Sequence, residues 1–184
     1  MLIMQKKSIY TYAAEAGVPA GLYLTVMSAC LLLSVRIPDT IMLLVPLGVG
    51  FPFFLWFLMK KISKAEPSYL KFSSLWLGGI YTVIFGTLIC MLLSGLYVVL
   101  VEPGFVHMSI SNAINTIETS PVAAEYEPTL VLMKEALAAH LLPSGLEFLM
   151  TMAWFTCFTG SILSLFISLI ITGGGKRVKR EVSL

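Results

Sequence analysis

Residues 75–101 read LWLGGIYTVIFGTLICMLLSGLYVVLV, a stretch that contains no charged residue. A helix needs about 20 apolar residues to cross the hydrocarbon layer of a bilayer, so this stretch predicts a transmembrane helix. Three further apolar runs lie at about residues 16–35, 41–59 and 147–172. The chain is 58% hydrophobic and 12% charged, whereas about a quarter of the residues of a soluble domain are charged. We therefore predict one all-α, polytopic integral membrane domain over residues 1–184, with four transmembrane helices.

The basic residues alternate with the apolar runs along the chain. Ten of the twelve Lys and Arg residues lie in three short segments: Lys6 and Lys7; Lys60, Lys61, Lys64 and Lys71; and Lys176, Arg177, Lys179 and Arg180. Only Arg36 and Lys134 lie in the other two connections. Cytoplasmic connections carry an excess of Lys and Arg, so this pattern predicts that both termini are cytoplasmic. It indicates a lipid bilayer as the partner of the basic segments, and no nucleic acid.

Small residues recur at every fourth position in three of the four spans. The stripes are Ala13, Gly17, Gly21, Thr25 and Ala29; Ser74, Gly78, Thr82, Gly86, Cys90 and Ser94; and Thr156, Gly160, Ser164, Ser168 and Thr172. Residues four apart share a helix face, and small residues let helices in lipid approach closely. We therefore predict that Gly17, Gly21, Gly78, Gly86, Gly160 and Ser164 form helix–helix contacts. The alternative is a polar path lined by hydroxyl groups, but no charged residue lies deep in any stripe.

The second span has no such stripe and contains two prolines. Pro46 and Pro52 bracket Gly48 and Gly50 near its centre. A proline removes a backbone donor and clashes with the preceding turn, so this cluster predicts a bend. Pro46 and Pro52 are candidate hinge residues if that bend moves, and otherwise mark a fixed kink.

The connection between the third and fourth spans is long and acidic. Two amphipathic helical patterns occupy about residues 103–143, and Ser120-Pro121 separates them. We expect the first helix to begin at Pro103 and the second near Pro128. The sequence therefore predicts an extracytoplasmic helical hairpin whose apolar faces pack together or on the membrane surface. Such a pair either covers the bundle or docks a partner protein.

Few residues of the chain suggest chemistry. His107 and His140 lie on the two hairpin helices and form a weak candidate polar site, with Glu102, Glu118 or Glu147 as further ligands. The spacing of metal-binding motifs is absent, so we predict no metal, no cofactor and no catalytic residue. Ser144 and Glu147 instead fit a capping box at the start of the fourth span. No ionisable residue lies in the central part of any span, which argues against an ion-coupled pump.

Two short stretches give the chain a recognisable layout. The third span opens with Tyr69-Leu70-Lys71-Phe72-Ser73, and it ends at Val101-Glu102-Pro103-Gly104-Phe105, followed by an amphipathic helix. With two close spans and a Lys-rich connection before them, these stretches resemble a bacterial family of small four-span membrane proteins known only as a domain of unknown function. In that family an acidic residue often follows the proline, where this chain has Gly104. The resemblance implies a bacterial inner membrane and no assigned activity.

Three functional hypotheses remain open on the sequence. We favour a non-enzymatic accessory or scaffold protein that associates with another envelope protein or with itself, because the stripes and the acidic hairpin suit association. The first alternative is an oligomeric channel or carrier for a small solute, built on the second span and the hydroxyl stripes. The second is an outer-face, metal-dependent enzyme that uses His107 and His140.

Overall fold

The computed structural model describes residues 8–65, 71–121 and 123–181. Lys6 and Lys7 of the first basic segment, and Tyr69 and Leu70 of the quoted stretch, lie outside the described residues. The described chain is all-helical: α1 spans Ile9–Leu33, α2 Leu44–Ala65, α3 Phe72–Leu100, α4 Phe105–Glu118, α5 Glu127–Ala138 and α6 Gly145–Glu181. Short 3₁₀ helices at Pro38–Leu43 and Ala123–Tyr126 precede α2 and α5.

Four of these helical segments are long and apolar enough to cross a membrane: Ile9–Leu33, Pro38–Ala65, Phe72–Leu100 and Gly145–Gly173. This confirms the predicted all-α class with four transmembrane helices. The helices extend beyond the predicted apolar spans because caps and polar ends continue them. Ser8, for example, caps α1 by accepting a hydrogen bond from the Tyr10 amide at 3.4 Å. We call the end of the bundle that carries α4 and α5 the hairpin end, and the opposite end the terminal end.

Helix α3 is the centre of the bundle. One of its faces packs on α1, and another packs on α6. A methyl group built on Gly21 of α1 would lie 2.8 Å from Ile89 Cβ and 2.9 Å from the carbonyl oxygen of Gly86. On the other side of α3, a methyl group on Gly160 of α6 would lie 2.5 Å from Val83 Cγ1. Lipid is as apolar as the side chains, so helices in a membrane gain little from burying apolar surface. Close approaches such as these strengthen the van der Waals contacts that hold the helices together.

Of the remaining predicted packing residues, Gly17 lies in the contact between α1 and α3, Ser164 lies in the contact between α3 and α6, and Gly78 is packed more loosely. Gly17 lies against Phe85 of α3, and the buried Ser164 lies against α3 as well. Gly78 is less tightly packed, since the nearest atom to a methyl group there would be the flexible end of Ile9 at 3.4 Å, and Ile62 Cγ2 would lie at 3.9 Å. The neighbouring Gly79, which the four-residue spacing did not select, is the close contact with Ser164, at 2.7 Å.

Helix α2 is the most peripheral of the four spans. Only 17% of the most apolar window of Pro38–Ala65 is buried, against 33% for the α1 and α3 spans. Tyr23 of α1 contacts the start of α2, where its hydroxyl donates a hydrogen bond to the Leu47 carbonyl oxygen at 2.7 Å. Pro46 lies in the first turn of α2, where a missing amide donor costs little, and only Pro52 lies in the helix interior. The helix is continuous through Pro52.

The hairpin differs from the predicted one in where it begins. The first helix starts at Phe105 rather than at Pro103, because residues 102–105 form a turn in which the Phe105 amide donates to the Glu102 carbonyl oxygen at 3.0 Å.

The capping box at the start of α6 is confirmed. The Ser144 amide donates to Glu147 Oε2 at 2.7 Å, and the Glu147 amide donates to Ser144 Oγ at 3.3 Å.

Candidate functional site at the hairpin end

A buried carboxylate lies at the hairpin end of the bundle. Glu102 is 3% exposed, and its two oxygens have separate donors. Arg36 Nε donates to Oε1 at 2.9 Å, and the Tyr97 hydroxyl donates to Oε2 at 3.3 Å. The hydrogen bond and the charge of Glu102 raise the pKa of Arg36, which is a cation at any physiological pH in any case. The pair therefore ties the connection after α1 to the end of α3.

The local sequence explains why these two residues meet. Arg36 follows the last turn of α1, and Glu102 follows the last turn of α3. Because α1 and α3 pack closely along their small residues, their hairpin ends lie side by side. Our sequence reasoning treated Glu102 only as a possible metal ligand and missed this pair. A usable signal was present: Arg36 is a lone base in a short connection, and an acid ends another span.

Helix α4 follows Glu102 in the chain and packs on the ends of the spans. Its buried Phe105 and Val106 join a small apolar cluster with Leu32 of α1, Val98 of α3 and Leu149 of α6. On its polar side, the Asn112 amide donates to the Val35 carbonyl oxygen at 3.0 Å. The helix is thus held to the ends of three spans by both apolar packing and hydrogen bonding.

A cleft of about 730 Å³ opens between α4 and the connection that follows α1. Its walls are mainly apolar, with Leu31, Ile41, Ile110 and Phe148 among the lining side chains. The amide side chains of Asn112 and Asn115 lie among the α4 residues of the lining. Clefts of this size and composition bind ligands or partner side chains in many proteins, so the cleft makes this end of the bundle the best candidate binding site.

Helix α5 is much less anchored than α4. Leu130 is the one buried residue of α5, whereas Val131 is 48% and Leu132 is 66% exposed. Lys134 pairs with Glu118 of α4, and both side chains are largely exposed, so this pair contributes little stability. The apolar faces of the two hairpin helices therefore bury one another only in part.

The two histidines of the candidate polar site do come close together. The ring centroids of His107 and His140 are 6.4 Å apart. Within the described part of the chain, no group of three His, Cys, Asp or Glu side chains is placed to hold a metal ion. His140 also has a backbone role: it ends α5 with a positive φ of 51°, and the His140 and Leu141 amides donate back to Leu137 and Ala136. The structure brings the histidines together without the glutamates that we considered as further ligands.

The four long apolar helices and the hairpin that closes one end define the class of this protein: a multi-pass, α-helical membrane protein. The model of the family described as "Protein of unknown function (DUF4199)" matches residues 16–172. This match covers most of the first span, the other three spans almost completely and the whole hairpin, and the chain belongs to that family. No curated protein and no solved structure matches the chain.

Proposed function

We propose that this protein is a non-enzymatic accessory or scaffold subunit of a membrane complex, which binds a partner protein through α5 and the cleft beside α4. The observation that carries the proposal is the incomplete burial of α5. An amphipathic helix that leaves Val131 and Leu132 exposed on a firmly anchored neighbour offers apolar surface to a second molecule. The anchoring of α4 through Asn112 and the apolar cluster supplies a base for that surface.

The charge of the hairpin specifies the chemistry of the partner. Glu125, Glu127 and Glu135 are exposed, and Lys134, the single base of the hairpin, already pairs with Glu118. The complementary partner carries a basic segment close to the membrane surface, because opposite potentials steer and align two binding faces. A second copy of this chain would meet the same acidic face and is the less complementary partner.

The proposed location is a bacterial inner membrane, with the N- and C-termini in the cytoplasm and the hairpin outside. Two features support this orientation. Lys60, Lys61 and Lys64 lie at the terminal end of the bundle, as cytoplasmic connections require. Arg36, the single base in the connection between α1 and α2, is paired with Glu102 and adds no free positive charge at the hairpin end.

The test uses a photoreactive amino acid placed in the full-length protein in its native membranes. Benzoylphenylalanine at position 132 should give a discrete protein adduct after illumination, because Leu132 is 66% exposed on α5. Exchanging Glu125 and Glu127 for lysine should reduce that adduct by about tenfold, since like charges across an interface oppose binding. The matched control is the same photoreactive residue at Leu92, which is 74% exposed on α3.

Each outcome of the crosslinking bears on the proposal. An adduct of one defined mass at position 132 but not at position 92, lost with the charge exchange, would support it. Lipid adducts alone at position 132, or the same protein adducts at both positions, would refute binding through α5. An adduct with the mass of two copies of this chain would refute the basic partner and show that the protein associates with itself through α5.

Neither alternative function is favoured by a specific contact. A polar path through one bundle needs hydroxyl groups that face an opening. The buried hydroxyls of Thr82, Ser164 and Ser168 instead donate to carbonyl oxygens of their own helices, at 2.7 or 2.8 Å. The enzyme hypothesis rests on the histidine pair alone, which lacks further ligands among the described residues.

A further inference from the structure

The two histidines of the chain lie together on the surface of the hairpin end. The ring centroids of His107 and His140 are 6.4 Å apart, and the ring planes are inclined to one another by 50°. Both residues are exposed, so a dissolved ion can reach them without any movement of the helices. Neither residue belongs to the lining of the cleft beside α4. The histidine pair is therefore separate from that part of the proposed partner site.

The backbone of each histidine is held in place by its own helix. His107 directly follows Phe105 and Val106, which are buried and anchor the first turn of α4. His140 ends α5 with a φ of 51°, and its amide donates to the Leu137 carbonyl oxygen at 3.3 Å. A ligand that binds both rings therefore has to order mainly the two side chains, which lowers the entropic cost of binding.

The separation of the rings fits the coordination of one metal ion by both. An imidazole nitrogen lies about 1.1–1.2 Å from the ring centroid and binds Zn²⁺ at about 2.0–2.1 Å, so the ion lies about 3.2 Å from each centroid. Two rings on one ion then have centroids about 5.2 Å apart at the tetrahedral angle and about 6.4 Å apart when they are opposite one another. The observed 6.4 Å is at the upper end of that range. Rotation of two exposed side chains is enough to reach the tetrahedral arrangement.

The charge around the pair favours a cation, and the ligand atoms determine which kind. Residues 105–140 carry four glutamates and one lysine, and a surface with net negative charge raises the local concentration of cations. Imidazole nitrogen is a good ligand for Zn²⁺, Cu²⁺ and Ni²⁺. Mg²⁺ and Ca²⁺ prefer oxygen ligands instead.

We infer that His107 and His140 together bind one divalent transition-metal ion that favours imidazole nitrogen, such as Zn²⁺. The ion links the anchored α4 to the end of the weakly anchored α5. Within the described residues, no Cys, Asp or Glu joins the pair to make a group of three, so water fills the remaining coordination positions. The sequence did not predict this ion, because the histidines are far apart in the chain and match no metal-binding motif. The inference does not depend on the proposed partner, since it is tested on the purified protein alone.

The experiment uses the full-length protein in lipid nanodiscs, prepared without a polyhistidine tag. Isothermal titration calorimetry measures Zn²⁺ binding, with empty nanodiscs as the blank and Mg²⁺ as the comparison ion. We expect one Zn²⁺ per chain and no comparable binding of Mg²⁺, which avoids nitrogen ligands. With Cu²⁺ as the probe, the electron paramagnetic resonance spectrum should show hyperfine coupling to two imidazole nitrogens.

Two variants each remove one imidazole. His107→Gln places a good helix former in α4, and His140→Asn keeps a residue that tolerates a positive φ at the end of α5. Each should weaken Zn²⁺ binding by about 100-fold, because the second imidazole of a pair binds as an intramolecular ligand. The matched control exchanges Glu125 and Glu127 for glutamine and retains both histidines. It should weaken binding by less than about threefold, because salt screens charges at that range.

Hydrogen exchange of the α5 amides measures the link between the two helices. At a Zn²⁺ concentration 100 times the dissociation constant, openings that separate the histidines should become about 100-fold rarer. Exchange in Glu127–Ala138 should therefore slow, whereas exchange in Ile9–Leu33 should stay the same.

The outcomes separate the metal site from unspecific binding to an acidic surface. Loss of binding in both histidine variants, with the glutamine control nearly unaffected, would support the inference. Binding that survives in either histidine variant, equal binding of Mg²⁺, or a Cu²⁺ spectrum with a single nitrogen would overturn it. Unchanged exchange in α5 with Zn²⁺ bound would refute the link between the helices. If a variant fails to fold, the Cu²⁺ spectrum of the unmodified protein decides.

Discussion

The tight contact between α1 and α3 predicts opposite effects for two glycine-to-alanine exchanges. A methyl group at Gly21 would lie 2.8 Å from Ile89 Cβ and 2.9 Å from the Gly86 carbonyl oxygen, atoms that cannot move without moving a helix. At Gly78 the nearest atoms are Ile9 Cδ1 at 3.4 Å and Cγ1 at 3.5 Å, at the end of a flexible side chain. We expect Gly21→Ala to destabilise the bundle and Gly78→Ala to leave it unchanged or stabilise it.

The magnitude follows from two opposing contributions to the free energy of unfolding. Carbon atoms pack at about 3.5–4.0 Å, so Gly21→Ala must separate α1 and α3 locally by roughly 1 Å. Overpacking of this kind costs about 1–3 kcal/mol, and rigid neighbours favour the upper part of that range. Alanine is the better helix former by at most about 1 kcal/mol at either position. Gly21→Ala should therefore lose about 1–2 kcal/mol net, and the two variants should differ by about 2–3 kcal/mol.

Equilibrium unfolding by SDS in mixed micelles, followed by tryptophan fluorescence, measures this difference. Gly48→Ala is the control for helix propensity alone, because nothing lies within 4 Å of a methyl group built on Gly48. Gly78→Ala should behave like this control. If Gly21→Ala is as stable as Gly78→Ala, the close contact between α1 and α3 does not exist and the packing scheme fails.

Three further predictions concern single side chains, each measured by a thermal melt in detergent. Arg36→Met should lower the melting temperature because it leaves the Glu102 carboxylate buried with one donor, whereas Lys134→Met, at an exposed pair, should leave it nearly unchanged. Equal losses would contradict the structural role of the Glu102 pair. His140→Gly should stabilise the hairpin by about 1 kcal/mol, since glycine adopts a φ of 51° without strain. A lower melting temperature would show that the contacts of the imidazole stabilise the hairpin by more than the strained backbone destabilises it. Thr87→Val should stabilise the protein by about 1 kcal/mol by removing an unpaired buried hydroxyl, and unchanged stability would mean that this hydroxyl has a partner.

The hairpin shows which helix boundaries can be predicted from local sequence patterns. Apolar periodicity and Ser120-Pro121 were enough to predict two helices, and the capping pattern at Ser144 was enough to predict the start of α6. The turn at residues 102–105 was not predictable from the same patterns. It depends on the position of Phe105, which packs against Leu32, Val98 and Leu149 from three other helices.

The candidate sites were less predictable than the helices. The sequence offered His107 and His140 as a weak candidate polar site but could not tell whether they lie together; their ring centroids are 6.4 Å apart. Among the described residues, no glutamate joins them in a group that could hold a metal ion. It did not find the Arg36–Glu102 pair, whose members are 66 residues apart in the chain. Nor did it show that the Thr87 hydroxyl lacks a partner while that of Thr82 has one, because residue type alone does not fix the side-chain conformation.

The sequence by itself determined that this chain is a four-span helical membrane protein with an amphipathic hairpin. Hydropathy and charge act on each segment separately, through its transfer between water and hydrocarbon, so they can be read locally. Only the tertiary structure decided that α3 is the central helix, that Gly79 rather than Gly78 meets α6, and that Glu102 is buried beside Arg36. Those facts depend on atoms from distant segments coming within a few ångströms, and in lipid such contacts rest on close packing rather than on burial of apolar surface.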